Sequence, residues 1–184
     1  MRTRERGVSL IELILFILIV SIGIVGILGV LNLTASRSSD PLIRKQALAI
    51  AESLLEEVEL MPFTYCDPDD ANASTATVAA VGANGCAATV EALGPEAGES
   101  RYSATSPFDN VNDYHGFSMA GIRDLSNTPI AGLAAYSASV SVTNGGLGLA
   151  SAEVLQIAVT VTGPGNEAVT LNGYRTRYAP NSLP

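Results

Sequence analysis

From Leu13 to Leu31 every position is apolar or glycine except Ser21. At about 1.5 Å of rise per residue this run makes a helix about 28 Å long, close to the roughly 30 Å hydrocarbon thickness of a bilayer. The pattern therefore predicts a transmembrane or assembly helix over residues 8–37. Gly23, Gly26 and Gly29 recur every third residue within it. Small residues let membrane helices approach closely, although glycine is also common in such helices without a packing role. Ser38-Ser39-Asp40-Pro41 then interrupts the run and restarts a helix, because serine or aspartate caps and proline suits the first turn. Ile43, Ala47, Ile50, Ala51, Leu54, Leu55 and Val58 follow at i, i+3, i+4 spacing, with Arg44, Lys45, Glu52, Glu56 and Glu59 over much of the rest. This is an amphipathic helix over residues 41–61, ended by Pro62.

Past that helix the period changes. Residues 62–133 read as loop, admitting one short strand before Pro107. Alternation returns in Tyr136-Ser-Ala-Ser-Val-Ser-Val142, Val154–Val161 and Val169–Tyr178, separated by the glycine-rich turns Gly145–Gly148 and Gly163–Asn166. These three runs predict an antiparallel meander over residues 134–178, folded onto the amphipathic helix. In the last run Tyr174, Thr176 and Tyr178 share one face, and Arg175 and Arg177 the other. The expected class is α+β.

A single carboxylate, Glu12, breaks the apolar edge of the first helix. An ionised group costs about 2.5–3.5 kcal/mol at the centre of a membrane helix and less near the interface, so such groups usually have a partner and a use. Before it stands the basic leader Met1-Arg-Thr-Arg-Glu-Arg-Gly7. Arg2, Arg4 and Arg6 outweigh Glu5, which predicts a cytoplasmic leader over residues 1–7 and an exported domain over residues 41–184. A cleaved secretory signal fits less well, because its apolar core is about 7–15 residues and Thr34-Ala35-Ser36 is a poor cleavage site. A plain uncleaved anchor leaves Glu12 and Gly7 unexplained.

Net charge is −8, and loss of the leader, with three arginines and one glutamate, takes it to −10. That acidity disfavours nucleic acid as a partner, since phosphate recognition needs a basic patch. Cys66 and Cys86 are the only cysteines. In an exported domain an even pair is most simply a disulfide, closing a loop poor in apolar bulk. With His115 the sole histidine, a zinc site would need carboxylates to complete it. Two acidic clusters have the oxygen donors that calcium takes: Asp67, Asp69, Asp70 and Asn72, and Asp109, Asn110, Asn112 and Asp113. Neither has EF-hand spacing, and turn chemistry accounts for Asp and Asn in such stretches. No phosphate-binding loop, serine elbow or catalytic triad is present; the reading is of a protein that is not an enzyme, without a cofactor, and with His115 as a loop residue.

The segment Arg6-Gly7-Val8-Ser9-Leu10-Ile11-Glu12, with the basic leader before it and the apolar helix after it, resembles the processing site of type IV prepilins and pseudopilins. The resemblance implies cleavage between Gly7 and Val8 by a prepilin peptidase, followed by methylation of the new N-terminus. Glu12 then becomes the fifth mature residue, the position of the family glutamate that meets the N-terminal amine of a neighbouring subunit. Val8 departs from the family, which more often has phenylalanine or methionine there. Helix followed by meander is also the outline of the pilin fold. The stretches Asp40–Glu57, Pro62–Asn72 and Pro107–Phe117 are similar to D-type minor pilins of mannose-sensitive haemagglutinin pili. That similarity implies a low-abundance subunit, held first in the inner membrane and then in the pilus at the cell surface. Its implied partners are the major pilin and other minor pilins, and its implied role is surface attachment. A type II secretion pseudopilin would share the N-terminus, and an uncleaved tethered binding module would keep its leader.

Overall fold

The computed structural model describes residues 9–38 and 40–183. The chain divides into two compact units, with the boundary between Leu42 and Ile43.

In the first unit, helix α1 spans Leu10–Ser38. Ser9 stands at its N-terminus, where its carbonyl accepts from the N–H groups of Glu12 and Leu13 at 3.0 and 3.1 Å. Leu10–Asn32 is long and apolar enough to cross a membrane, with a mean hydropathy of 3.1 and none of it buried within the chain. Ser21, the one polar interruption between Leu13 and Leu31, is satisfied locally, since its Oγ donates to the Ile17 carbonyl at 2.7 Å. Ser21 therefore adds no unpaired group to an apolar surface.

The second unit is built on helix α2, Asp40–Leu60. Its stripe packs as the periodicity predicts: Ala47, Ala51, Leu54 and Val58 are buried, with Ile43, Ile50 and Leu55 packed at the margin. The facing layer is a sheet in the order β1-β2-β3-β4 (Ser118–Ala120, Ser137–Asn144, Val154–Thr162 and Ala168–Thr176), antiparallel throughout. Register places Ala138 against Val161, Val140 against Val159 and Val142 against Ile157, so the inward faces of β2 and β3 form one apolar surface. Burying each of these valine and isoleucine side chains contributes about 1.5–3 kcal/mol. In β4 the inward row ends on Gly173, where a Cβ would lie 2.9 Å from Leu55 Cδ1 and closer still to the Glu59 carboxylate. Absence of a side chain there lets α2 pass close to the sheet. The β3–β4 turn needs positive φ at Gly165 (75°) and Asn166 (64°), which those residues tolerate.

Two features correct the sequence expectation. The sheet has four strands, not three, because Ser118–Ala120 pairs with β2 inside the stretch expected to be loop. A short 3-10 turn, Val111–Tyr114, lies in the same stretch and is wholly buried. β1 escaped the pattern because only Met119 of its three residues is inward; pairing, not periodicity, makes it a strand.

The long connection between α2 and β1 is fastened mostly by polar and covalent ties. Cys66 and Cys86 are bonded, with Cα atoms 5.4 Å apart. In the chain-entropy account such a closure contributes about 3 kcal/mol. They form a small satellite core with Ala73 and Ala76. Inside this loop a Cβ on Gly85 would strike the Ala80 carbonyl oxygen at 1.8 Å, so the backbone there closes only around glycine. Arg101 returns the connection to α2. Its Nε and Nη2 donate to the two Glu57 carboxylate oxygens, both at 2.7 Å, and Tyr114 Oη donates to Glu57 Oε1 at 2.8 Å. The guanidinium also lies 5.4 and 5.5 Å from the Tyr102 and Phe117 ring centroids.

Removing one member of a buried ion pair leaves the other uncompensated, at a cost of about 3–5 kcal/mol. Arg101→Ala is therefore expected to destabilise the domain by that amount in denaturant unfolding. A loss under about 1 kcal/mol would show that the pair fastens little.

Candidate functional site

Two regions carry the chemistry that the sequence marks out. On α1, Glu12 occupies the first turn, and the side chains around it from Leu10 to Leu31 are exposed on every side. A carboxylate here meets the positive end of the helix dipole, and Ser9 followed three residues later by Glu12 has the spacing of a capping box. Glu12 thus has a local electrostatic rationale in addition to any intermolecular one. A Cβ on Gly23, Gly26 or Gly29 would meet nothing within 4 Å, so no contact within the chain requires these glycines. Gly7 and Val8 lie outside the described residues.

The second region is acidic, and the fold sorts its residues in a way the sequence does not. Asp70 is structural: its carboxylate accepts from the N–H groups of Asn72, Ala87, Ala88 and Thr89 at 2.7–2.9 Å. These bonds, led by that from Thr89, hold its pKa well below the usual carboxylate range. Asn72 Nδ2 donates to the Gly85 carbonyl at 3.0 Å. Asp67 and Asp69, from the same cluster, face Asp109 instead. In the second cluster Asp113 Oδ2 accepts from the N–H groups of Asp109 and Asn110 at 2.9 and 2.7 Å, and Asn110 Nδ2 donates to Thr64 Oγ1 at 2.6 Å. His115 Nδ1 accepts from the Val142 N–H at 3.3 Å, a loop-to-sheet contact.

Three sets of carboxylates come together here, each offering oxygens within 4.8 Å of one another: Asp67–Asp69–Asp109, Asp67–Glu96–Glu99 and Glu91–Glu96–Asp113. Asp67 and Glu96 are shared, so the sets form one continuous group. Glu91, Glu96 and Glu99 were not singled out in the sequence. A signal was present, since no lysine or arginine occurs between Lys45 and Arg101. Among the described residues the only ion pair within 4 Å is Glu57–Arg101. Arg177, which interacts electrostatically with Glu91, is stacked instead on the Phe63 and Tyr65 rings, 3.9 and 4.7 Å from their centroids.

Burial and mutual repulsion push the carboxyls of Glu91, Glu99, Asp109 and Asp113 upward. Glu91 rises to about 10 through desolvation and then the Asp113 charge. Glu99 rises to about 8, Asp113 to about 7 and Asp109 to about 6, desolvation leading in each. On α2 and its neighbours an open groove of about 570 Å³ is lined by Ile50, Leu54, Met119 and Ile122, with Glu57 and Arg101 also on its wall.

The shifts fix a pH dependence. Unfolded Asp and Glu titrate near 3.8 and 4.5, whereas the folded chain holds their protons to about 6, 7 and 8. The native state binds more protons in that window, so stability falls as pH rises through it. Asp70 works oppositely, its contribution being lost as pH drops below the unfolded value. With divalent cations chelated, thermal unfolding should therefore give a higher Tm near pH 5 than near pH 8. An equal or higher Tm at pH 8 would contradict the repulsion among Asp67, Asp69, Glu91, Glu96, Glu99, Asp109 and Asp113.

Compared with protein-family models, with curated proteins and with solved structures, the chain has no match.

Proposed function

We propose that this chain is a minor pilin of a type IV pilus system, of the mannose-sensitive haemagglutinin type. In this reading it is processed between Gly7 and Val8 and enters the filament or its initiating complex through α1. The observation that carries the reading is a lone carboxylate, Glu12, in the first turn of a helix whose apolar surface has no cover within the chain. A surface of that kind is satisfied by lipid or by other helices. Processing would place the amine of Val8 about one helical turn from Glu12, with both in or near lipid. Opposite charges attract strongly in low dielectric and are costly there when unpaired. Pairing Glu12 with the amine of a neighbouring subunit would neutralise both and set the docking register. The α+β domain would then be exported beyond the inner membrane, with a prepilin peptidase, the major pilin and other minor pilins as partners.

Glu12→Gln separates this role from helix capping, because glutamine also serves at the third position of a capping box while carrying no charge. The Glu12→Gln protein should be cleaved and inserted like wild type, and copurify with the major pilin at least about tenfold less, equivalent to about 1.4 kcal/mol. Normal recovery in filaments would rule out the assembly role. Mass spectrometry of native protein should find N-methylated Val8 as the terminus; an intact leader in cells with active peptidase would favour the tethered-module reading.

A further inference from the structure

We propose that the loop face of the domain holds one calcium ion, ligated by Glu91, Glu96 and Asp113. Carboxylate oxygens of these three residues lie within 4.8 Å of one another. That separation admits a common centre at the 2.3–2.6 Å calcium–oxygen distance. Crowded acid residues alone do not make a site; the state of their oxygens does. Asp113 is fully buried, and while Oδ2 is committed to two backbone N–H groups, Oδ1 has no hydrogen-bond partner. Both carboxylate oxygens of Glu91 are likewise buried without one.

A proton on each carboxyl would remove the charge but not meet this demand. A protonated carboxyl is a donor that needs an acceptor, and the Glu91 carboxyl has no hydrogen-bond partner of either kind. A divalent cation meets both requirements, since it cancels charge and occupies oxygen lone pairs. Arg177 does not take this place, being stacked on Phe63 and Tyr65 without an ion pair.

The donor set selects the ion. It is all oxygen; both cysteines are bonded to each other, and His115 is turned to the sheet. Hard cations are therefore favoured over zinc or copper. The ligands come from loop and 3-10 segments, a setting that suits the variable coordination of calcium better than the near-ideal octahedron magnesium demands. Waters would complete its six to eight ligands. The outer sets, reaching through Asp67 and Glu99 to Asp69 and Asp109, would keep the approach negative and concentrate cations at the mouth.

The backbone already brings the ligand-bearing segments together. The Glu91 N–H donates to the Tyr65 carbonyl at 3.2 Å, and the Gly94 N–H to the Asn112 carbonyl at 3.0 Å. Calcium would lock the segment carrying Glu91 and Glu96, which follows the disulfide, to the turn that carries Tyr114, and through Tyr114 to Glu57 on α2. This proposal stands on the acidic group alone and does not depend on the pilin reading.

The test uses the full chain in detergent micelles, stripped with a chelator and then dialysed against calcium or magnesium. Elemental analysis should find one calcium per chain. At about a hundredfold excess over Kd, calcium should raise Tm by about 5–10 °C at neutral pH, and magnesium at equal concentration by less. Glu96→Gln, which keeps side-chain shape and leaves the Asp113 backbone contacts intact, should weaken calcium binding at least about tenfold. Glu52→Gln on exposed α2 should bind as wild type. No retained calcium, equal retention by Glu96→Gln, or equal stabilisation by magnesium would each overturn the assignment.

Discussion

The seating of α2 on the sheet is the contact on which the domain depends. Ala47, Ala51, Leu54 and Val58 meet the inward rows of β2 and β3, and small residues on the helix let the two layers come close. This one surface carries most of the apolar burial. The long connection from Pro62 to Phe117 brings little bulk of its own, with only Phe63, Val111 and Tyr114 reaching the main core as fully buried side chains. It must therefore be anchored by bonds that are directional, namely Glu57–Arg101, Cys66–Cys86 and the Asp70 clamp. Such bonds fix position where burial cannot, and each is expensive to leave half made.

What could be read from the sequence follows from this division. Both helices and strands β2–β4 repeat their apolar positions often enough for the period to declare itself. The disulfide followed from there being just two cysteines in a domain expected outside the cytoplasm. β1 and the 3-10 turn at Val111–Tyr114 were hidden, since each is too short to show a period. Arg101 gave no sign of its partner, because Glu57 lies far back in the chain on a helix where it looks like one more solvent-facing glutamate. The acidic region was legible as composition but not as function. Asp67 and Asp70 stand three residues apart in a similar setting, yet one faces a carboxylate cluster and the other serves four backbone donors; only the folded path of residues 86–99 separates them.

The two units also live under different physical rules. In the domain the core is apolar, and polar groups are mostly outside or paired, the acidic group around Glu91 and Asp113 being the main departure. In α1 the order is reversed, with apolar side chains outward and Ser21 satisfied within its own turn. The same sequence thus specifies a part suited to water and a part suited to hydrocarbon or to other helices, and Glu12 is the one charge at the entrance of the second.

The clamp by Asp70 has a consequence for durability. The segment that follows Cys86 is fastened twice at nearly the same point, once through sulfur and once through the bonds from Ala87, Ala88 and Thr89 to one carboxylate. These fastenings fail under different insults. Reductant opens the first and leaves the second; strong acid releases the second and leaves the first. Neither condition alone frees the segment, so its path is kept across surroundings that would undo a singly secured one. Redundancy of this kind suits a surface loop that has almost no hydrophobic core to fall back on.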